Sequence, residues 1–566
     1  MIVIKLNSYL LVLLSCLIFI CCEDLDLAPD TAVSSSNYFR NEEELQVGLN
    51  AVYEKSSFKF DEEFWSDDGH NRGGAGVNNE ISRATINSSS PIPQGYWIDI
   101  YEGVKRANVL LDNMENVSDD ISEEAFNRIE GEARALRAYF YGQLACKFGG
   151  VPLITTSRMS IDESLSIERA SLDKVKQFIY DEMDAAAQLL PNEKVNKATA
   201  GFAYGLKARF ALYFGDYETA RDASQAVIDL GTYSLAPNLN TLFEKASTGS
   251  PEIIFAVPHS YELGTIIPVD ARDYISRLSG GFGAVFPTWA AAHIFECTDG
   301  LTVNNSPLYD PHAPWANRDP RMAITMVEFG TPWLGYIYEP HYDSLTTLQL
   351  SSGNMVSNSD NRAVASFASF TGFLWRKYID QRWADFKRGD PNYILIRYAD
   401  VLLMHAESLI ELDENLDAAR NMINQVRARA YGTTVEDVAN YPEVTETTQA
   451  GLRTRLRRER RVELMFEGLR YQDLIRWGIA KEALDRIVLG LPNPPELDRS
   501  QWPFTDALLP TIDENGLVQF EANTLIGNNW AQLLQDYDFD ESRMYLWPIP
   551  ATDRLLNDKL TQNPNY

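Results

Sequence analysis

Residues 197–235 read KATAGFAYGLKARFALYFGDYETARDASQAVIDLGTYSL, and this stretch decides the fold class. Its apolar residues recur at helical spacing on both sides of Gly215-Asp216, which reads as a turn between two antiparallel helices. Ala208, Tyr217 and Ala220 fall where a tetratricopeptide unit, a helix pair of roughly 34 residues, places small or aromatic side chains between its helices. A lone helix pair cannot bury its own apolar faces, so this unit predicts neighbours to stack on.

Two weaker units answer that expectation. Tyr398 to Ala430 repeats the pattern, with Ala406, Leu416 and Ala419 in like roles. The stretch Ser122–Phe148 carries Ile129, Ala133, Leu136, Phe140 and Leu144 on one stripe and stops at Gly149-Gly150-Val151-Pro152; it pairs with a helix from about Ser171 to Leu190. Further helices are predicted from Asn41, with three glutamates in the first turn, and from Tyr96 to Asn116. Residues 66–95, SDDGHNRGGAGVNNEISRATINSSSPIPQG, have the composition of a long surface loop. From about 236 to 392 helical periodicity weakens, and Trp289, Trp315, Trp333, Tyr336, Tyr338, Tyr342, Trp375 and Trp383 cluster among prolines and glycines. The expected fold is mostly α: tetratricopeptide-like helix pairs form a scaffold, into which an irregular region of long loops and short strands is inserted.

The chain begins MIVIKLNSYLLVLLSCLIFICCED. A basic residue, a short apolar core and an abrupt acidic start have the build of an export signal, too short for a span of about 20 residues. Cysteine at the processing point predicts a lipoprotein acylated on Cys22. Residues 1–21 are then the signal, 22–40 a lipidated tether and 41–566 one folded domain. Cys16 and Cys21 are the alternative anchor positions. The body holds Cys146 and Cys297, whose pairing the sequence leaves open. A formal net charge of −30 over 566 residues disfavours nucleic acid as a partner.

Several segments carry a family resemblance: CEDLDLAPDTAVSSSNYFRNEEEL near the start, EARALRAYFYGQLACKFGGVPLIT, NRDPRM at 317–322, TGFLWRKYI at 371–379, IRYADVLLMHAESLIEL at 396–412, INQVRARA at 423–430, ERRVELMFEGLRYQDLIRWG at 459–478, YLWPIP at 545–550 and LTQNPNY at 560–566. In order and spacing they span nearly the whole mature chain. The chain resembles the SusD/RagB outer-membrane lipoproteins of Bacteroidetes. The resemblance implies a surface-exposed protein, anchored in the outer membrane by lipid, that caps a SusC-like TonB-dependent transporter and passes it an oligosaccharide. It implies that the irregular insertion bears the ligand face, and it implies no cofactor and no catalysis. RagB-like members handle peptides, which is the alternative cargo.

Sugar recognition needs flat aromatic faces for the C–H side of a pyranose and polar groups for its hydroxyls. Location and composition select Asp68 and Arg72 on the early loop, Trp97 at the helix start, and Trp315, Trp333 and Tyr336 in the insertion as ligand-binding candidates. The arginine-rich stretch 452–478 reads instead as a structural ion network, because Glu459, Glu463 and Glu467 recur at i, i+4 with arginines at helical spacing around them. No two of the six histidines have zinc-motif spacing, and Asp536–Asp540 lacks the glycine a calcium loop needs, so no metal is expected. A surface glycoside hydrolase is the rival class; paired carboxylates occur by chance among 80 acidic residues, and no catalytic signature surrounds any of them.

Overall fold

A computed structural model of the chain describes residues 38–56, 60–72, 80–117, 121–194, 196–267, 269–492 and 509–566. Cys22, the signal and most of the tether lie outside the described residues. The longer helices are α1 (Glu42–Glu54), α2 (Pro91–Asn113), α3 (Glu123–Phe148), α4 (Leu172–Leu189), α5 (Ala200–Tyr213), α6 (Tyr217–Asp229), α7 (Tyr398–Glu411), α8 (Leu416–Ala430), α9 (Gln449–Leu464) and α10 (Arg470–Arg476).

The three expected helix pairs are α3/α4, α5/α6 and α7/α8, and they form one continuous stack. Each of α2 to α8 packs on the next, including α6 on α7, across which residues 230–397 are inserted. Local chemistry fixes the corners. Thr199 accepts from the Phe202 N–H to start α5, Gly215 takes φ +71 in the turn, and Asp216 accepts from the Thr219 N–H to start α6. Ala208, Ala220, Ala406 and Ala419 are fully buried, as close helix packing requires. Gly142 lets α3 meet α5 face on; a Cβ there would lie 2.2 Å from the Phe210 ring.

The insertion holds short strands. β2 (Ile253–Val257) pairs antiparallel with β8 (Tyr393–Arg397) and so ties its two ends together. β4 (Thr331–Trp333), β5 (Tyr336–Tyr338), β6 (Thr346–Gln349) and β7 (Asn354–Ser357) form a four-stranded antiparallel meander. Most of the clustered aromatics are core rather than ligand face: Trp289, Trp375, Trp383, Tyr338 and Tyr342 are all enclosed, with Trp375 stacked on Phe466 at 4.3 Å.

Two sequence expectations need correction. The loop over 66–95 is not all surface. Ser66, Asp67 and Asp68 are buried, and β1 (Gly69–Asn71) pairs antiparallel with β3 (Val285–Pro287). Helix α2 also starts at Pro91, earlier than Tyr96, because prolines are tolerated in a first turn whose N–H groups lack helical partners anyway.

The acidic residues of the arginine-rich stretch do form a buried ion network, but not with arginines of their own helix. Arg397 of β8 pairs with Glu252, Glu463 and Glu467 at 2.6–2.7 Å. Arg429 pairs with Glu252 and Glu463, and Arg321 with Asp319, Glu459 and Glu463. Glu467 lies beyond the end of α9 at Leu464. The network therefore bolts the insertion to α8 and α9. Cys146 and Cys297 are unpaired thiols.

Candidate functional site

Arg72 leaves the short β1/β3 ladder at its edge. Its N–H donates to the Ala284 carbonyl at 3.0 Å, which sets the residue beside the segment 272–284. From the other side comes the loop 358–372, SDNRAVASFASFTG after Asn358, pinned by buried amides. Asn358 Nδ2 donates to the carbonyls of Glu339 and Ser344, both at 2.7 Å. Asn361 Nδ2 donates to those of His341 and Tyr342 at 2.7 and 3.0 Å. Asp360 Oδ1 accepts from the N–H of Arg277 at 2.7 Å. Burial pushes the Asp360 carboxyl up to about 6 against these bonds.

This framework presents Phe367 with 60% of its surface exposed. Its carbonyl accepts from Arg72 Nη1 and, at 3.4 Å, from Arg277 Nη1. The Arg72 guanidinium lies 5.6 Å from the centroids of both Phe367 and Phe370, and Arg362 covers Phe370 at 4.4 Å. Phe282, 37% exposed, lies under Arg272 at 5.0 Å, and Asp270 holds that guanidinium at 2.6 Å. Burial, Arg277 and Arg362 lower the Arg72 pKa, while Asp273 raises it. Exposed rings beside guanidinium and carboxylate groups are what an amphipathic, hydroxyl-rich ligand requires: the ring takes C–H surface and the charged groups make strong hydrogen bonds.

A second surface adjoins it. The β4–β5 hairpin turns through Leu334 and Gly335, both at positive φ, and sets Trp333 opposite Tyr336. Ser279 Oγ donates to the Leu334 carbonyl at 3.1 Å, so this hairpin and the Arg72 face flank the same 272–284 segment. Trp333 lines a cavity of about 410 Å³ with Asn240, Glu244, Lys245, Arg376 and Asp380. Tyr336 Oη accepts from Gln349 Nε2 at 3.2 Å. Trp315 packs on Phe329 and Phe373 at 5.5 and 6.0 Å. The indole N–H groups of Trp315 and Trp333 are buried without a hydrogen-bond partner among the described residues.

The other two candidates stand elsewhere. Trp97 is 4% exposed; it packs edge-on against Phe148, donates from Nε1 to Asp553 at 3.1 Å and lines a separate apolar groove of about 620 Å³. Asp68 is fully enclosed and takes Nε and Nη2 of Arg461 on one oxygen. Sequence reasoning missed Phe367, Phe282 and Arg277. A phenylalanine in SFASF reads as core; only the amide-pinned turn, whose contacts are non-local, exposes it.

A family model described as the SusD family matches residues 251–566, more than half of the chain. The chain belongs to the SusD family. A second model, described as starch-binding and associating with the outer membrane, matches residues 24–212 of this SusD protein. It is similar to SusD-like protein P2 of Formosa agariphila, 24% identical over 510 residues that cover 86% of this chain and 93% of that one. Among solved structures it is similar to a SusD-like carbohydrate-binding protein of Bacteroides fragilis, with TM-score 0.76 and 26% identity over 92% of this chain and 99% of that one. A laminarin-binding SusD-like protein shares the fold, with TM-score 0.61 and 23% identity over 93% of this chain and all of that one. No helix among the described residues is long and apolar enough to cross a membrane.

Proposed function

We propose that this SusD-family protein is a surface glycan receptor, acylated on Cys22 and held at the outer membrane, that captures oligosaccharide and delivers it to a SusC-like TonB-dependent transporter without catalysing its cleavage. The observation that carries the reading is the Arg72–Phe367 face: solvent-exposed rings set among guanidinium and carboxylate groups on a rigidly pinned loop. Trp333 and Tyr336 extend this surface along the insertion, while Trp315 packs on Phe329 and Phe373. Family membership supports the reading, as do the carbohydrate-binding and laminarin-binding names of its structural relatives. A site of few rings gives modest affinity, which suits a carrier that must release its cargo.

Isothermal titration of the chain beginning after Cys22, against plant, host and microbial polysaccharides and a set of peptides, tests it. Saturable heat with one glycan class and none with peptides is expected. Binding to peptides alone would replace the glycan reading with a RagB-like one, and release of shorter products from a bound oligosaccharide would make the protein an enzyme. Co-purification with a large β-barrel after mild detergent extraction checks the transporter partnership.

A further inference from the structure

Two arginines meet at the Phe367 carbonyl. Arg72 and Arg277 direct Nη1 at the same carbonyl oxygen, and neither makes an ion pair among the described residues. Arg362, buried behind them, faces the same Phe370 ring as Arg72. Like charges this close repel, and half-burial of Arg72 strengthens the repulsion by removing water. The carboxylates nearby offset it only in part, through the fields of Asp273 on Arg72 and of Asp360 on Arg277. Asp270 is engaged by Arg272, and Asp360 directs Oδ1 at the backbone N–H groups of Arg277 and Leu278. Asp273 faces Arg72 but is joined to it by no ion pair among the described residues. Six other buried arginines, Arg397, Arg429, Arg321, Arg427, Arg460 and Arg476, each hold at least two carboxylate contacts within 3.1 Å, whereas Arg318 and Arg486 donate to backbone carbonyls. In a molecule of net charge −30, Arg72 and Arg277 thus stand together beside Phe367, the most exposed phenylalanine of this face, and share its carbonyl.

We propose that the Arg72–Arg277 pair takes a fixed negative charge on the saccharide, a uronate carboxylate or a sulfate ester, while Phe367 and Phe282 take the C–H faces of the adjoining rings. The proposal rests on the glycan reading above and names its ligand class. Guanidinium groups suit it because their planar N–H fork matches two oxygens of a carboxylate or sulfate at once. The surrounding net charge repels polyanions at long range, so the pair acts after contact and selects rather than steers.

The test uses the full chain extracted in mild detergent and titrated with four matched probes: oligogalacturonate and its methyl ester, and a carrageenan oligosaccharide and its desulfated form. Laminarin oligosaccharide and poly-L-glutamate are included for comparison. The expected result is binding to one charged probe that weakens by about tenfold or more when that charge is removed chemically, and by a similar factor in Arg72→Gln or Arg277→Gln. The first probe pair reports a carboxylate and the second a sulfate. Circular dichroism melts that match the native chain show that each variant is folded. Equal binding of the charged and neutral partners, or of laminarin by native and variant chains alike, overturns the charge selection while leaving a glycan receptor. Binding of poly-L-glutamate with none of the saccharides, or no binding at all, overturns both.

Discussion

Arg461 grips Asp68 across 393 residues of sequence, with Nε at 2.8 Å and Nη2 at 2.5 Å from one carboxylate oxygen and both side chains fully enclosed. Asp67 joins the same guanidinium at 2.8 Å and also holds Arg470. The early segment that opens toward Arg72 is thus bolted at its root to helix α9. The carboxylate that looked available to a ligand in sequence is instead the anchor of the segment that carries Arg72.

Removing that anchor has a defined cost. Asp68→Ala leaves Arg461 buried with Asp67 as its remaining acidic partner, so urea unfolding should show a loss of about 3 kcal/mol, near the lower end for breaking a buried pair. Affinity for the protein's glycan, measured on the folded fraction, should stay within about twofold. A stable Asp68→Ala protein with abolished binding would place Asp68 in the ligand site.

The ion network behind the insertion makes a stronger demand. Arg397→Met strips Glu252, Glu463 and Glu467 of a shared cation in the interior. Thermal unfolding should reveal a loss of about 3–5 kcal/mol, because the carboxylates are left buried with fewer counter-charges. A melting temperature equal to that of the native chain would mean the network contributes nothing to holding the insertion.

Asp360 gives the pinned loop a pH dependence of known sign. Its carboxyl titrates at about 6 in the folded protein, against 3.8 as an ordinary aspartate, chiefly through burial. The folded state therefore holds its proton more tightly. The stabilising contribution is complete below about pH 3.8 and is lost as pH rises through about 6, a change of about 3 kcal/mol. Asp360→Asn keeps the Oδ1 acceptor without the charge. Relative to the native chain, the variant should gain stability between pH 4 and pH 7 in denaturant titrations; parallel curves across that range would refute the assignment.

How much of this was legible beforehand follows the range of the interactions. Helix pairs α3/α4, α5/α6 and α7/α8 are set by spacing, capping residues and small side chains on helices that follow one another in the chain, and the sequence displays all three. Glu459, Glu463 and Glu467 were readable as ion-network members, but their partners Arg321, Arg397 and Arg429 were not, since the contacts join separate elements. Arg72 was selected by location, and its contact with Phe367 was not readable. Asp68 and Trp97 look the same in sequence whether they face ligand, Arg461 or Phe148. Phe367 could not be distinguished from core because its exposure depends on Asn358, Asp360 and Asn361 reaching backbone groups on other loops.

The most direct test of the central claim is the affinity of Phe367→Ala for whichever glycan the native chain binds, measured by titration calorimetry with Trp333→Ala alongside. Phe367 is exposed and contributes little to the core, so the variant should fold normally. Weakening by about tenfold or more is predicted, because the platform ring of the Arg72 face is gone. An unchanged affinity in Phe367→Ala, with a loss in Trp333→Ala, would move the binding site to the hairpin cavity and contradict the account.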